Sequence, residues 1–144
     1  MKSFVKLRVA GEGLDVYKIS DKLEIENSMA YKKGDDLQSR FDKEITTAKE
    51  DCYLASFESE DNESAEACLG RVLKTLKPHS NYLRSLSEKA EISVWISLYP
   101  EEFQMNFHLS PENMKMIIDM GASFDMSAMY LEKLYDGSYR RIEE

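Results

Sequence analysis

An α+β domain with a single mostly antiparallel sheet of about five to six strands, and three to four helices packed mainly on one face, is the fold this sequence predicts. Three observations carry it. Residues 92–98 and 103–109 each alternate apolar with polar side chains, the period-2 signature of half-buried strands. Ala65, Leu69, Val72, Leu73 and Leu76 fall on one side of a helix. Ser110-Pro111-Glu112 then opens a further helix and Gly121 closes it: a serine caps the free N–H groups, proline suits the first turn, and glycine takes the left-handed stop. Each amphipathic helix must bury its stripe, and one face of a common sheet is the economical place.

Along the chain, Val5, Leu7 and Val9 alternate with Lys6 and Arg8, which gives a first strand over residues 3–10 with one solvated face. Gly11-Glu12-Gly13 ends it, and Asp15 caps a short helix with Val16, Ile19 and Leu23 on its inner side. Residues 27–51 read as a charged excursion: residues 28–32 suit a strand, Lys33-Gly34-Asp35-Asp36 is a turn signal, and faint alternation at Phe41, Lys43, Ile45 and Thr47 suggests a hairpin. Residues 52–57 are rich in strand formers and are stopped by the acidic run of 58–63. The long helix then begins at Asn62 or Ser64 and stops at Pro78, and Ser80 or Asn81 starts a shorter one carrying Tyr82, Leu83 and Leu86.

The two alternating segments that follow are expected to pair as a hairpin. Setting Leu98 opposite Phe103 and Ile96 opposite Met105 leaves Tyr99-Pro100-Glu101-Glu102 as a four-residue loop, because proline cannot take the positive φ of a two-residue turn. That register puts Trp95 opposite Asn106 and Ser93 opposite His108. Met114, Ile117 and Ile118 form the expected inner face of the next helix, and Phe124, Met126, Ala128 and Tyr130 that of a last strand. The domain is thus expected to span residues 1–131, with 132–144 a charged C-terminal tail in which Tyr135 and Tyr139 are packing anchors.

With 144 residues the chain can bury roughly 70% of the surface its unfolded form exposes, so it needs no disulfide or structural metal. Cys52 and Cys68 lack metal-ligand spacing and read as free thiols. The N-terminus has charges where a signal peptide needs an apolar run, and no stretch is long and apolar enough to cross a bilayer. A cytoplasmic protein beginning at Met1 is the expectation. The net charge of −8 disfavours nucleic acid and anionic membrane and favours a basic partner.

Several stretches resemble one known family. Leu14-Asp15, Ile19-Ser20, Leu23, Ile25 and Lys33-Gly34-Asp35 carry its opening. Glu66-Ala67-Cys68-Leu69, Leu73, Leu76, Pro78, Leu83 and Leu86 carry its middle. Leu109-Ser110-Pro111-Glu112, Met120-Gly121-Ala122-Ser123-Phe124-Asp125 and Tyr130 carry its end. The chain resembles, over roughly residues 4–131, the bacterial domain of unknown function 4279 family. That family carries no agreed activity, so the resemblance implies no catalytic residue.

No catalytic constellation is legible. His79 and His108, the two histidines, have no nucleophile or acid at a recognisable spacing, and there is no phosphate loop, HExxH or GxSxG. The acidic runs lack the ligand pattern of a calcium loop. No catalytic, cofactor-binding or metal-binding residue is therefore expected. Six of the eight methionines lie between Met105 and Met129, mostly at positions that read as core, with Met116 and Met129 outward. Trp95, Tyr99, Gln104, Asn106 and His108 would share the outer face of the hairpin, an aromatic and polar mixture of the kind found in interface cores. These five are the candidate partner-binding residues, unless a helix or the 27–51 excursion covers them. A non-catalytic cytoplasmic protein-binding domain follows, most concretely an immunity protein that neutralises a basic bacterial toxin. The alternative is a small-molecule-sensing or enzymatic domain of unknown substrate.

Overall fold

The computed structural model describes residues 1–38, 43–102 and 104–130. Its strands are β1 (Lys2–Gly11), β2 (Ser28–Tyr31), β3 (Asp36–Gln38), β4 (Ile45–Thr47), β5 (Asp51–Glu58), β6 (Glu91–Tyr99) and β7 (Ser123–Ala128). Its helices are α1 (Val16–Leu23), α2 (Ala65–Leu76), α3 (Ser80–Leu86) and α4 (Pro111–Asp119), with a short 3-10 turn, Lys77–His79, between α2 and α3. The main sheet has the order β2-β5-β1-β6-β7. Its pairs are antiparallel except β6 with β7, which run parallel, and β3 with β4 forms a separate two-stranded ladder. The α+β class is as expected. The single sheet is corrected to a five-stranded mixed sheet and a two-stranded hairpin.

Local sequence explains where the helices start. The Asp15 side chain accepts the Lys18 N–H at 3.1 Å, and the Ser64 hydroxyl accepts the Ala67 N–H at 3.1 Å. Ser110 does the same for Asn113 at 3.1 Å. Each satisfies one N–H that a helix leaves without a partner. Ser64 thus begins α2, and Arg71 ties that start to the end of β5. Its guanidinium donates to both Glu63 oxygens and to the Glu58 carbonyl, each at 3.0 Å. The Arg71 hydrogen bonds hold the Glu63 carboxyl below the ordinary range, against a smaller opposing effect of burial.

The stripes of these helices meet the sheet in one core. Val5, Leu7 and Val9 of β1, and Val94, Ile96 and Leu98 of β6, pack there with Leu69, Val72, Leu73 and Leu76 of α2. Ile19 of α1, Leu83 of α3 and Ile117 of α4 complete it. Cys52 and Cys68 are both free thiols and both buried.

The expected hairpin of 92–98 with 103–109 is not formed. One edge of β6 pairs with β1 and the other with β7, so neither is open to a further strand. Residues 104–109 instead cross to the helical side, where Met105, Phe107 and Leu109 pack against the core. Phe107 stacks on Phe124 of β7 at 6.2 Å and 18°, and the His108 N–H donates to Glu66 of α2 at 3.1 Å. Period-2 alternation reports an extended segment with one buried side; it does not report a hydrogen-bonded neighbour. Phe103 lies outside the described residues, as do Phe41, Leu131 and the whole 132–144 tail with Tyr135 and Tyr139.

The inner face of α4 is also corrected. Asn113, Met116 and Ile117 are buried, whereas Met114 and Ile118 are 41% and 65% exposed. Both faces satisfy helical spacing, but the polar Asn113 hides the true one in sequence. It lies opposite Gly70 of α2, where a Cβ would meet Asn113 Oδ1 at 3.8 Å, an ordinary van der Waals contact. The methionines divide accordingly. Met116 and Met120 are core, while Met114, Met126 and Met129 are exposed, so Met116 is not outward and core filling accounts for only part of the cluster.

Asp51 fastens the loops at one end of the sheet. Its carboxylate accepts the Lys33 N–H at 2.8 Å and the Leu14 N–H at 3.1 Å, joining the β1–α1 and β2–β3 connections. The Lys33 hydrogen bond, helped by those of Leu14 and Gly13, lowers its pKa from 3.8 against the opposing effect of burial. A lowered pKa means stability that is present above the unfolded value and lost as pH falls through the folded one. Asp51→Asn is therefore expected to melt below the wild-type chain at pH 7. The gap should close on acidification below about pH 4, as Tm measured against pH for both proteins will show.

Candidate functional surface

The face of the sheet opposite the helices carries an exposed Trp95 with half-buried Phe4 and Tyr99. Because β1 and β6 alternate, burial of Val5, Leu7, Val94 and Ile96 sends Phe4, Lys6, Arg8, Trp95 and Tyr99 to the other side. The register sets Lys6 beside Trp95 and Trp95 beside Asp125, with Ser56 next to Lys6 on the far side. In the neighbouring rows Phe4 lies between Glu58 and Ser97, and Arg8 between Leu54 and Ser93. Trp95, the one tryptophan of the chain, is 42% exposed there. It is not covered by a helix.

Contacts across this face are aromatic and ionic. Phe4 and Tyr99 meet edge to face at 5.9 Å, and the Lys2 ammonium sits 5.8 Å from the Phe4 ring. Lys2 pairs with Glu58 at 2.6 Å, Arg8 pairs with Glu50, and the N-terminal amine pairs with Glu101 at 3.2 Å. Further along, the Cys52 thiol and then burial push the Tyr31 phenol up to about 12. Carboxylates crowd the end of the sheet where Phe4 and Tyr99 lie. Glu58, Glu60, Asp61, Glu63 and Glu101 line one shallow depression with Met1 and Lys2.

Of the five predicted residues, Trp95 and Tyr99 share this face. Gln104, Asn106 and His108 do not, because their segment runs on the helical side, with the His108 backbone bonded to Glu66. Asn106 is not opposite Trp95, and His108 is not opposite Ser93; Lys6 and Asp125 flank Trp95 instead, and Arg8 and Ser123 flank Ser93. Sequence reasoning missed Phe4, Lys6, Leu54 and Asp125 as members of the surface. The outward parity of Phe4 and Lys6 was a signal for two of them, but pairing of β1 with β6 was needed to place them near Trp95.

Among the described residues, no group of three or more His, Cys, Asp and Glu side chains is placed to hold a metal ion. No helix among them is long and apolar enough to cross a membrane. What the surface offers is recognition chemistry: a large indole, a phenol, a phenyl ring and charges of both signs on a rigid sheet.

The family model described as Domain of unknown function (DUF4279) matches residues 1–131. The chain belongs to that family. The match runs from the start of β1 past the end of β7, so every described element of this DUF4279 member lies within it. No curated protein and no solved structure matches the chain.

Proposed function

We propose that this DUF4279 protein is a non-catalytic, cytoplasmic protein-binding domain that docks a partner on the open sheet face around Trp95, most concretely an immunity protein neutralising a basic toxin. The observation that carries the reading is the exposure of Trp95 on the helix-free side of the sheet, with Phe4 and Tyr99 nearby. Tryptophan and tyrosine dominate binding energy when a partner dehydrates them, since they bury much area for few torsions. The net charge of −8 and the carboxylates of the adjoining depression favour a partner of opposite sign and speed its approach.

Calorimetric titration with basic proteins encoded beside its gene tests the proposal. Trp95→Ala is expected to weaken binding by about 2 kcal/mol or more, roughly 30-fold, while far-UV circular dichroism stays as in the wild type. Raising salt from 50 to 200 mM should slow association more than it speeds dissociation. The proposal fails if no such neighbour binds, or if Trp95→Ala binds it as tightly as the parent.

A further inference from the structure

Trp95 and Asp125 are partners in the parallel β6–β7 pair, so their side chains leave the same face on strands about 4.8 Å apart. Asp125 is exposed, and among the described residues its carboxylate takes part in no ion pair or hydrogen bond. The positions around Trp95 on β6 and β7 are small. Ser93 and Ser97 precede and follow it on β6, Ser123 and Ser127 flank Asp125 on β7, and the Ser97 and Ser127 hydroxyls meet at 3.4 Å. No bulky neighbour on β7 therefore shields the indole on that side. Lys6, on its other side, likewise forms no ion pair among the described residues.

Building on the partner-binding reading, we infer that Trp95 and Asp125 form a receptor for one arginine side chain of the partner. A guanidinium is flat, so it stacks on an indole while its N–H groups point outward in its own plane. An unpaired carboxylate beside the indole meets those N–H groups with a charge-assisted hydrogen bond. A lysine ammonium has the charge without the flat surface and is more strongly hydrated, so the same site favours arginine. The Lys6 ammonium repels a second cation and restricts the arginine to the β7 side of Trp95. The negative charge of the whole chain brings such a partner in, and this pair fixes where its arginine lands.

A blocked arginine nonapeptide and a blocked lysine nonapeptide of equal charge serve as probes, and emission from Trp95, the single tryptophan, reports locally. The arginine peptide is expected to alter Trp95 emission and to bind at least threefold more tightly than the lysine peptide. Asp125→Asn should abolish that preference. Asp61→Asn, an equal charge change in the acidic depression, should leave the preference in place. The inference is overturned if the two peptides bind alike, if Trp95 emission does not respond, or if the preference survives in Asp125→Asn. Those results leave the protein-binding reading to be judged on its own titration with a basic protein partner. Failure of that titration alone would remove the protein partner and keep the arginine site.

Discussion

Gly121→Ala is expected to destabilise the chain by about 2–4 kcal/mol, as two separate costs meet at one position. Gly121 holds φ at +69°, where a side chain is disfavoured by about 1–2 kcal/mol. A Cβ there would also lie 2.5 Å from Ser87 Oγ and 2.8 Å from Ser87 Cβ. The second distance matters more, because rotating the hydroxyl away leaves Cβ in place. The loop after α3 and the turn after α4 must then separate, and Arg84, which donates to the Ile118 carbonyl at 3.1 Å, loses its footing between them. Urea unfolding will check the magnitude. The double variant Gly121→Ala with Ser87→Gly should recover the steric share and keep the conformational one. A single-variant cost under about 1 kcal/mol would show that the turn yields. Since Gly121 aims the chain from α4 into β7, the same strain should disturb the placement of Asp125 beside Trp95.

What was readable in the sequence was what local chemistry decides. Asp15 and Ser110 cap the helices they were expected to cap, Ser64 is the one of the two expected starts that caps α2, and Gly121 takes the left-handed stop. The stripe from Ala65 to Leu76 is wholly buried, and β1 carries the inner and outer faces its alternation implied. These outcomes rest on residues within a turn or two of each other. Strand pairing does not. Nothing between residues 92 and 109 reveals that β1 and β7 occupy both edges of β6. A contiguous pair of alternating segments looks like a hairpin until those competitors are known.

The surface divides along the same line. Trp95 and Tyr99 were placed by parity within one strand, and that survives any choice of neighbour. Gln104, Asn106 and His108 were placed by an assumed pairing and fell with it. Lys6 and Asp125 stand beside Trp95 where Asn106 was expected, which changes the chemistry there from amide to ammonium and carboxylate. In α4 the miss has another cause. Helical periodicity admits two overlapping faces, and a buried asparagine facing Gly70 decides between them.

Leu73→Ala should be among the costliest single core changes, at about 2–5 kcal/mol. Leu73 is fully buried in α2, the helix that packs over central strand β1, and is surrounded by core side chains. Ile118 supplies the comparison. It is an apolar residue on a helix, was expected to face inward, and is 65% exposed. Ile118→Ala should therefore stay within about 0.5 kcal/mol of the parent. Chemical denaturation of the two variants separates the alternative faces of α4: a loss above about 2 kcal/mol for Ile118→Ala would restore the face containing Met114 and Ile118. The Leu73→Ala variant should keep native Trp95 emission below its unfolding transition, because α2 lies on the other side of the sheet. A red shift there before global unfolding would mean that the helical layer controls the open face, and the binding surface would then be conditional on the core beneath it.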